Sequence, residues 1–179
     1  YTPLPIGVNN LNAEYNAIGF HSLNKLIYAL EAPPLNSGTR AAPRLFVIDA
    51  AGGLANLGVP TGLPGGPDKY LNGAFGPDGF YYVRQQNQNT LYRIDVTSFP
   101  VSVVGTVTIG AGGVGDDWAW RLQDNELYTI TNTGDLRRIN PVTGANTLVQ
   151  SGAFPGTFPD TPLPYGAVWI NAAGEIHAL

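Results

Sequence analysis

Three stretches of the chain repeat one pattern: Leu45-Phe46-Val47-Ile48-Asp49, Leu91-Tyr92-Arg93-Ile94-Asp95 and Leu136-Arg137-Arg138-Ile139-Asn140. Each begins with leucine, has isoleucine fourth and ends in Asp or Asn, and successive copies start roughly 45 residues apart. A repeat of this length in strand-forming residues is typical of β-propeller blades. The terminal Asp49, Asp95 and Asn140 predict a turn after each strand.

Further strand-like segments complete each copy of the repeat. Segments with small residues and a closing aromatic come first, at 16–20, 72–75, 117–120 and 165–169. Second strands follow hairpin-forming turns, at 26–30, 80–83, 126–130 and 175–179, and fourth strands are predicted at 54–57, 101–107 and 145–149. The closing aromatics Phe20, Trp120 and Trp169 are each followed seven residues later by an apolar second-strand residue. No segment has a sustained helical period, so the prediction is an all-β fold.

The repeats predict a single propeller-like domain over 1–179, with copies at about 15–60, 70–108 and 115–150 and a partial one at 165–179. This amounts to about three and a half four-stranded blades, whereas closed propellers usually have about four to eight. Exposed sheet edges invite aggregation, so we expect another segment to cover them. It is either further chain of the same protein, a second copy that completes the ring, or an outer strand from Tyr1 to Val8 that partly closes a four-blade ring.

Composition excludes several classes of function. The nine Lys and Arg residues are scattered and the net charge is −4, which argues against nucleic-acid binding. The chain has no Cys, which excludes disulfides and thiolate metal sites. No apolar run approaches the roughly 18 residues of a membrane span. Low charge and the missing Met predict a processed protein that is secreted and extracellular.

The residues that carry chemistry are few. Only His21 and His177 are available as imidazole bases, and no nucleophile motif accompanies them, so the chain is not expected to be an enzyme. Asp116-Asp117 is the one paired acidic feature. It is interpreted as a strand-start turn, and alternatively as a calcium site, because Ca²⁺ takes oxygen ligands. No other cofactor is expected.

Aromatic residues supply the candidate ligand-binding positions. Tyr81 and Tyr92 lie in neighbouring predicted strands, and His177 stands where the other second strands have tyrosine. Aromatic faces at a rim suit carbohydrate recognition, whereas strand alternation predicts that at least every other aromatic packs into the core. We therefore expect a glycan or another cell-surface ligand, with core packing as the competing interpretation.

The chain also resembles a known family, secreted WD-repeat/YVTN-like β-propeller domains of unknown function that occur in fungi and actinobacteria. Four strings carry the resemblance: Tyr15-Asn16-Ala17-Ile18-Gly19-Phe20, Leu91-Tyr92-Arg93-Ile94-Asp95, Gly115-Asp116-Asp117-Trp118-Ala119 and Tyr165-Gly166-Ala167-Val168-Trp169. The family has no established catalytic residues, so the resemblance implies a propeller fold and transfers no site. The expected function is a non-enzymatic extracellular binding or adhesion module. The alternatives are a lectin-like or cytotoxic defence protein, and a hydrolase or lyase with catalytic residues on missing blades.

Overall fold

The structure is a computed structural model that describes residues 14–154 and 165–179. Within these residues all of the regular secondary structure is β-strand. The first sheet contains β1 (Tyr15–His21), β2 (Leu26–Glu31), β3 (Leu45–Ile48) and β4 (Leu54–Gly58). The second contains β5 (Tyr70–Phe75), β6 (Tyr81–Gln85), β7 (Thr90–Asp95) and β8 (Ser102–Thr108). The third contains β9 (Trp118–Arg121), β10 (Glu126–Ile130), β11 (Leu136–Ile139) and β12 (Asn146–Gln150), and the fourth contains β13 (Val168–Ile170) and β14 (Ile176–Ala178).

Strands are ordered within each sheet as they follow in the chain, which is the meander of a propeller blade. The all-β, blade-like prediction is therefore confirmed, with three four-stranded sheets and one two-stranded sheet among the described residues. None of these elements is a helix long and apolar enough to cross a membrane. The proposed outer strand from Tyr1 to Val8 lies outside the described residues.

The repeated Asp or Asn at the end of each third strand forms the predicted turn. The Asp49 carboxylate accepts hydrogen bonds from the N–H groups of Ala51 and Gly53, at 2.9 and 2.7 Å. Asp95 accepts one from Thr97, and the Asn140 side chain accepts from Val142 and Thr143. These short polar side chains replace the backbone partners that the chain loses where it leaves the sheet.

A second repeated contact fastens the first hairpin of each four-stranded sheet. The Tyr28 hydroxyl accepts a hydrogen bond from Asn24 Nδ2 at 2.9 Å. The Tyr82 hydroxyl donates to Asp78 at 2.6 Å and the Tyr128 hydroxyl to Asp124 at 2.5 Å. We call these contacts the turn–tyrosine bonds. Each joins a buried second-strand tyrosine to the turn four residues before it, so the motif is Asn or Asp, three residues, then Tyr.

Glycines in the first strands permit close approach between neighbouring segments. A Cβ at Gly19 would lie 2.9 Å from Tyr81 Cε2 and 3.1 Å from Phe75 Cδ2, so the second sheet packs directly on this position. A Cβ at Gly73 would overlap the backbone of Ala17. Small residues in the first strands therefore permit close approach of a neighbouring segment at both positions.

The described chain divides into two compact units, one within Tyr1–Asn87 and Tyr92–Gly105 and the other within Gln88–Leu91 and Thr106–Leu179. The core of the first unit joins residues of the first two sheets, including Tyr28, Leu45 and Tyr81. In the second unit, Ile130 of the third sheet packs with Tyr165 and with Val168 of the fourth. Each unit thus contains its own apolar core.

The first sheet also has a face with exposed apolar side chains. Ile18 and Phe20 are 58% and 56% exposed, and Ile27, the cross-strand partner of Phe20, is at 36%. The equivalent pair in the second sheet, Phe75 and Tyr81, packs against Tyr28, with ring centroids 5.0 and 6.4 Å away. The closing aromatic of the second sheet, Phe75, therefore packs against other rings, whereas Phe20 of the first sheet is exposed.

The fourth hairpin departs from the predicted register. Phe20 pairs with Ile27 and Trp120 with Leu127, as the seven-residue spacing predicts. Trp169, however, pairs with His177, and Ile170 takes the place opposite Ile176. A shift of one residue moves a side chain to the other face of a strand, and Trp169 is 43% exposed.

Candidate functional site

Asp116 and Asp117 lie just before β9, the first strand of the third sheet. Asp117 Oδ1 accepts a hydrogen bond from the Trp118 N–H at 2.8 Å. Its Oδ2 accepts one from the Val168 N–H at 2.8 Å, which links the first strands of the third and fourth sheets. Asp117 therefore joins two sheets of the second unit, consistent with the strand-start interpretation.

The environment of Asp117 is unusual for a carboxylate. Burial raises its pKa to about 6, and the two backbone N–H donors offset part of that effect. Across 14–154 and 165–179, no group of three or more His, Cys, Asp or Glu side chains is placed to hold a metal ion. Both Asp117 oxygens already accept N–H groups. Calcium prefers six to eight oxygen ligands, so this donor set is poor for it.

Tyr81 and Tyr92 lie in the first unit and contribute to its core. Tyr81 is wholly buried, stacks on Phe75 with centroids 4.9 Å apart and donates its hydroxyl to the Ala17 carbonyl. Tyr92 is half-buried and meets Tyr70 edge to face at 6.0 Å. Tyr81 therefore presents no free platform of the kind that the aromatic-rim interpretation requires, and Tyr92 packs in part against the core of the first unit.

His177 lies in the second unit and belongs to a polar and aromatic cluster. Its ring stacks on Trp169, with centroids 5.2 Å apart and planes 10° from parallel. Asn171 Nδ2 lies 3.2 Å from His177 Nε2 and donates to Glu175 Oε2 at 2.6 Å. The five predicted positions are thus not brought into one site. The sequence did not indicate that Trp169 pairs with His177. Its turn, 171–175, has one residue more than the turns of the first and third hairpins, whereas Ile176 still follows Trp169 by seven residues.

The loops at one end of the first unit form a second candidate surface. Asn36 and Thr39 exchange backbone hydrogen bonds at 2.8 and 3.0 Å, and Ser37 and Gly38 between them have positive φ, so loop residues 36–39 form a tight hairpin. Arg40 pairs through its backbone with Gly66 of the next loop, at 2.7 and 3.1 Å. Arg40 and Gly66 also line a cavity of about 10 Å³, which is room for about one water.

In the sequence these loops, at 32–42 and 60–69, are rich in Pro and Gly. Leu35, at the base of the small hairpin, is 54% exposed. The Asn36-Ser37-Gly38-Thr39 sequence is a recognisable two-residue turn signal, so this element was detectable in advance. Its exposed, ordered tip has the features of a binding loop held by a rigid scaffold.

The sheets and their repeated contacts define a β-propeller repeat protein. The chain belongs to the family described as "Repeat of unknown function (DUF6923)", which matches residues 2–178. No curated protein matches the chain. This agrees with the predicted family at the level of a propeller-like repeat of unknown function.

Solved structures support the fold. Virginiamycin B lyase from Staphylococcus aureus matches with 14% identity and a TM-score of 0.52, over 96% of this chain and 57% of that one. A protein of unknown function from Bacteroides thetaiotaomicron matches with 13% identity and a TM-score of 0.63, over 90% of this chain and 41% of that one. The chain spans about half the length of such structures. At these identities the likeness concerns the fold alone.

Proposed function

We propose that this chain is a secreted, non-enzymatic binding module of the WD-repeat/YVTN-like kind, which recognises an extracellular ligand through a propeller scaffold. One observation carries the proposal: Asp49, Asp78, Asp95 and Asp124 are engaged in repeated contacts that hold the scaffold, and the buried His21 caps a turn. Fold alone does not decide function, so the proposal rests on these contacts.

The contacts recur at equivalent places in the repeats. Asp49 and Asp95 hold the turns after the third strands, and Asp78 and Asp124 accept the turn–tyrosine bonds. His21 is 4% exposed, and its Nδ1 accepts N–H groups of the following turn at 3.3 and 3.4 Å. Groups placed by the repeat for structural bonds are poorly suited to converge on one substrate.

The loop hairpin at 36–39 is the surface that best fits ligand binding in the first unit. It is ordered by its own backbone bonds and by the pairing of Arg40 with Gly66. Preorganised loops bind with a smaller entropic cost than loops that order on binding. The exposed Leu35 and the neutral Asn36, Ser37 and Thr39 favour a ligand of low charge.

One observation favours the enzymatic alternative. A buried carboxyl with a raised pKa, such as Asp117, is a common feature of active sites. Two of the structures with this fold are lyases, so a lyase or hydrolase activity is the second candidate. Under that proposal Asp117 is the general base, and further residues come from blades outside this chain.

The test combines binding with turnover. The purified chain is applied to a neutral-glycan array and to immobilised extracellular extract, and is assayed for cleavage of lactone and cyclic ester substrates. We expect saturable binding that Leu35→Ala and Thr39→Ala weaken, whereas Val142→Ala, at an exposed turn after a third strand, does not. Turnover that Asp117→Asn abolishes, without saturable binding, would refute the binding function and support the enzyme.

Secretion and completion of the ring are separate proposals. Detection of the native protein in culture medium tests secretion, and its absence there would contradict it. A further segment or second copy is proposed to cover the exposed Ile18, Phe20 and Ile27. The intact mass of the native protein and its mass in solution, compared with the 19.0 kDa of this chain, distinguish longer chain from a paired copy.

A further inference from the structure

The first sheet carries an apolar groove on the face against which the second sheet packs. Tyr28 of this face contacts Phe75 and Tyr81, with ring centroids 5.0 and 6.4 Å away, and all three belong to the first unit. Leu26 lies two residues before Tyr28 in β2, and Val47 of β3 pairs with Tyr28, so both share its face. Both are half-buried and line an open groove of about 380 Å³ with the second sheet in place. That volume lies within the roughly 300–1,000 Å³ of small-molecule sites.

The other four-stranded sheets have larger, interacting side chains at the two equivalent positions. These positions are the residue two before the second-strand tyrosine and the third residue of the repeated Leu-x-x-Ile pattern. The second sheet has Phe80 and Arg93 there, with the guanidinium carbon 4.7 Å from the ring centroid. The third sheet has Glu126 and Arg138, with Oε2 and Nε 3.4 Å apart. The first sheet has only two shorter aliphatic side chains at these positions, so the place stays open and apolar.

Asp49 contributes a carboxylate to the lining of this groove. Its Oδ1 accepts the N–H groups of Ala51 and Gly53, at 2.9 and 2.7 Å. Among the described residues, no donor is bonded to Oδ2 and Asp49 forms no ion pair, although Lys25 lies in the turn before β2. A Cβ at Gly53 would lie 2.6 Å from Oδ2, so the absence of a side chain there keeps this oxygen accessible.

We propose that this groove binds a small aliphatic amine, with its alkyl chain against Leu26, Val47 and Leu54 and its ammonium group on Asp49 Oδ2. An ammonium group only donates hydrogen bonds, which matches the open carboxylate oxygen, and the alkyl chain gains free energy by leaving water. Six residues line the groove, whereas a protein interface has about 20–30 on each side, so the occupant is a small molecule. Asp49 follows β3 and loop residues 36–39 precede it, so this site is distinct from the proposed binding loop.

The experiment titrates the chain with butylamine, pentylamine and hexylamine and follows its backbone amide signals by NMR. We expect saturable shifts at Gly53 and Ala55, a Kd on the order of 1 mM for hexylamine, and an affinity that rises about fourfold with each added methylene. Hexanol is expected to bind more weakly and hexanoate not to bind, because neither forms an ion pair with Asp49. The amide of Thr97, at the equivalent turn of the second sheet, is expected to stay unshifted.

Three variants separate the apolar groove from the charge. Leu26→Phe combined with Val47→Arg reproduces the pair of the second sheet and fills the groove, so hexylamine binding is expected to fall about tenfold or more. Asp49→Asn keeps the turn, because Asn140 makes the same kind of turn bonds in the third sheet. It is expected to weaken hexylamine about two- to fivefold and to leave hexanol unchanged. Asp95→Asn is the matched control and is expected to have no effect.

Circular dichroism shows that each variant is folded, and Asp49→Asn keeps the test decisive if the double variant does not fold. The proposal is refuted if no amine shifts Gly53 and Ala55 saturably at about 10 mM, or if hexanoate binds as well as hexylamine. It is also refuted if Asp95→Asn weakens binding as much as Asp49→Asn does. Leu35→Ala, in the proposed binding loop, is expected to bind hexylamine as the parent does. Failure of that loop and failure of this groove are therefore separate results.

Discussion

Substitution of Gly73 by alanine tests the close approach that lets neighbouring sheets pack. A methyl there would overlap the carbonyl group of Ala17, and a backbone atom cannot rotate away as a side chain can. Overpacking of this kind costs about 1–3 kcal/mol. The reduced freedom of the unfolded chain returns about 0.4–1 kcal/mol, so the net loss lies between about 0 and 2.6 kcal/mol, and we expect its upper part because the obstructing atoms are backbone.

Gly166 supplies the matched control, because its added Cβ would meet nothing within 4 Å. Gly166→Ala is therefore expected to be neutral or slightly stabilising. Urea unfolding followed by far-ultraviolet circular dichroism measures both variants. Tryptophan fluorescence reports the second unit separately, because Trp118, Trp120 and Trp169 all lie there. Equal midpoints for the parent and Gly73→Ala, or an equal loss in both variants, would show that the packing argument is wrong.

Three further results are expected. Tyr82→Phe should destabilise by about 1–2 kcal/mol and Tyr28→Phe by about 0.5–1 kcal/mol, since only the first loses a bond to a carboxylate; equal unfolding midpoints in urea would contradict this. Burial raises the pKa of Asp117 to about 6, above the ordinary 3.8. Between pH 3.8 and about 6 the native state therefore binds more protons at this carboxyl than the unfolded state does. Stability should then fall by on the order of 2 kcal/mol as the pH rises from about 4 to 6.5, and Asp117→Asn should flatten the profile in pH-dependent urea unfolding; an unchanged slope in the variant would exclude this carboxyl as the source. Nitrogen-15 NMR of the neutral rings should show opposite tautomers, with the proton on Nε2 in His21 and on Nδ1 in His177, and like tautomers would show that one hydrogen-bond assignment is incorrect.

The fold was predictable because the repeat specifies local structure at several places at once. Asp49, Asp95 and Asn140 mark turns by side-chain chemistry, and the alternation of apolar residues marks the strands between them. Such agreement between turn chemistry and strand pattern leaves few alternative pairings. The predicted strands consequently match the observed ones to within a few residues.

The candidate site was less predictable because it depends on departures from the repeat. Trp169 pairs with His177 and not with Ile176, because the turn of the fourth hairpin has one residue more than those of the first and third. The exposure of its side chain depends on what packs against that face. Tyr81 was selected as a ligand-binding aromatic, yet its place in the core follows from contact with Gly19 of another sheet. The joining role of Asp117 required knowledge that the Val168 N–H lies within 2.8 Å. These are long-range facts that a local pattern does not contain.

The turn–tyrosine bonds have a consequence for how such proteins evolve. Because each bond connects residues only four positions apart, a duplicated or deleted repeat takes its own fastening with it. Copy number can then change in multiples of one sheet without new partners elsewhere in the chain. Variation in length among related genes should therefore occur in steps of roughly 45 residues, with the Asn or Asp and the Tyr inherited together.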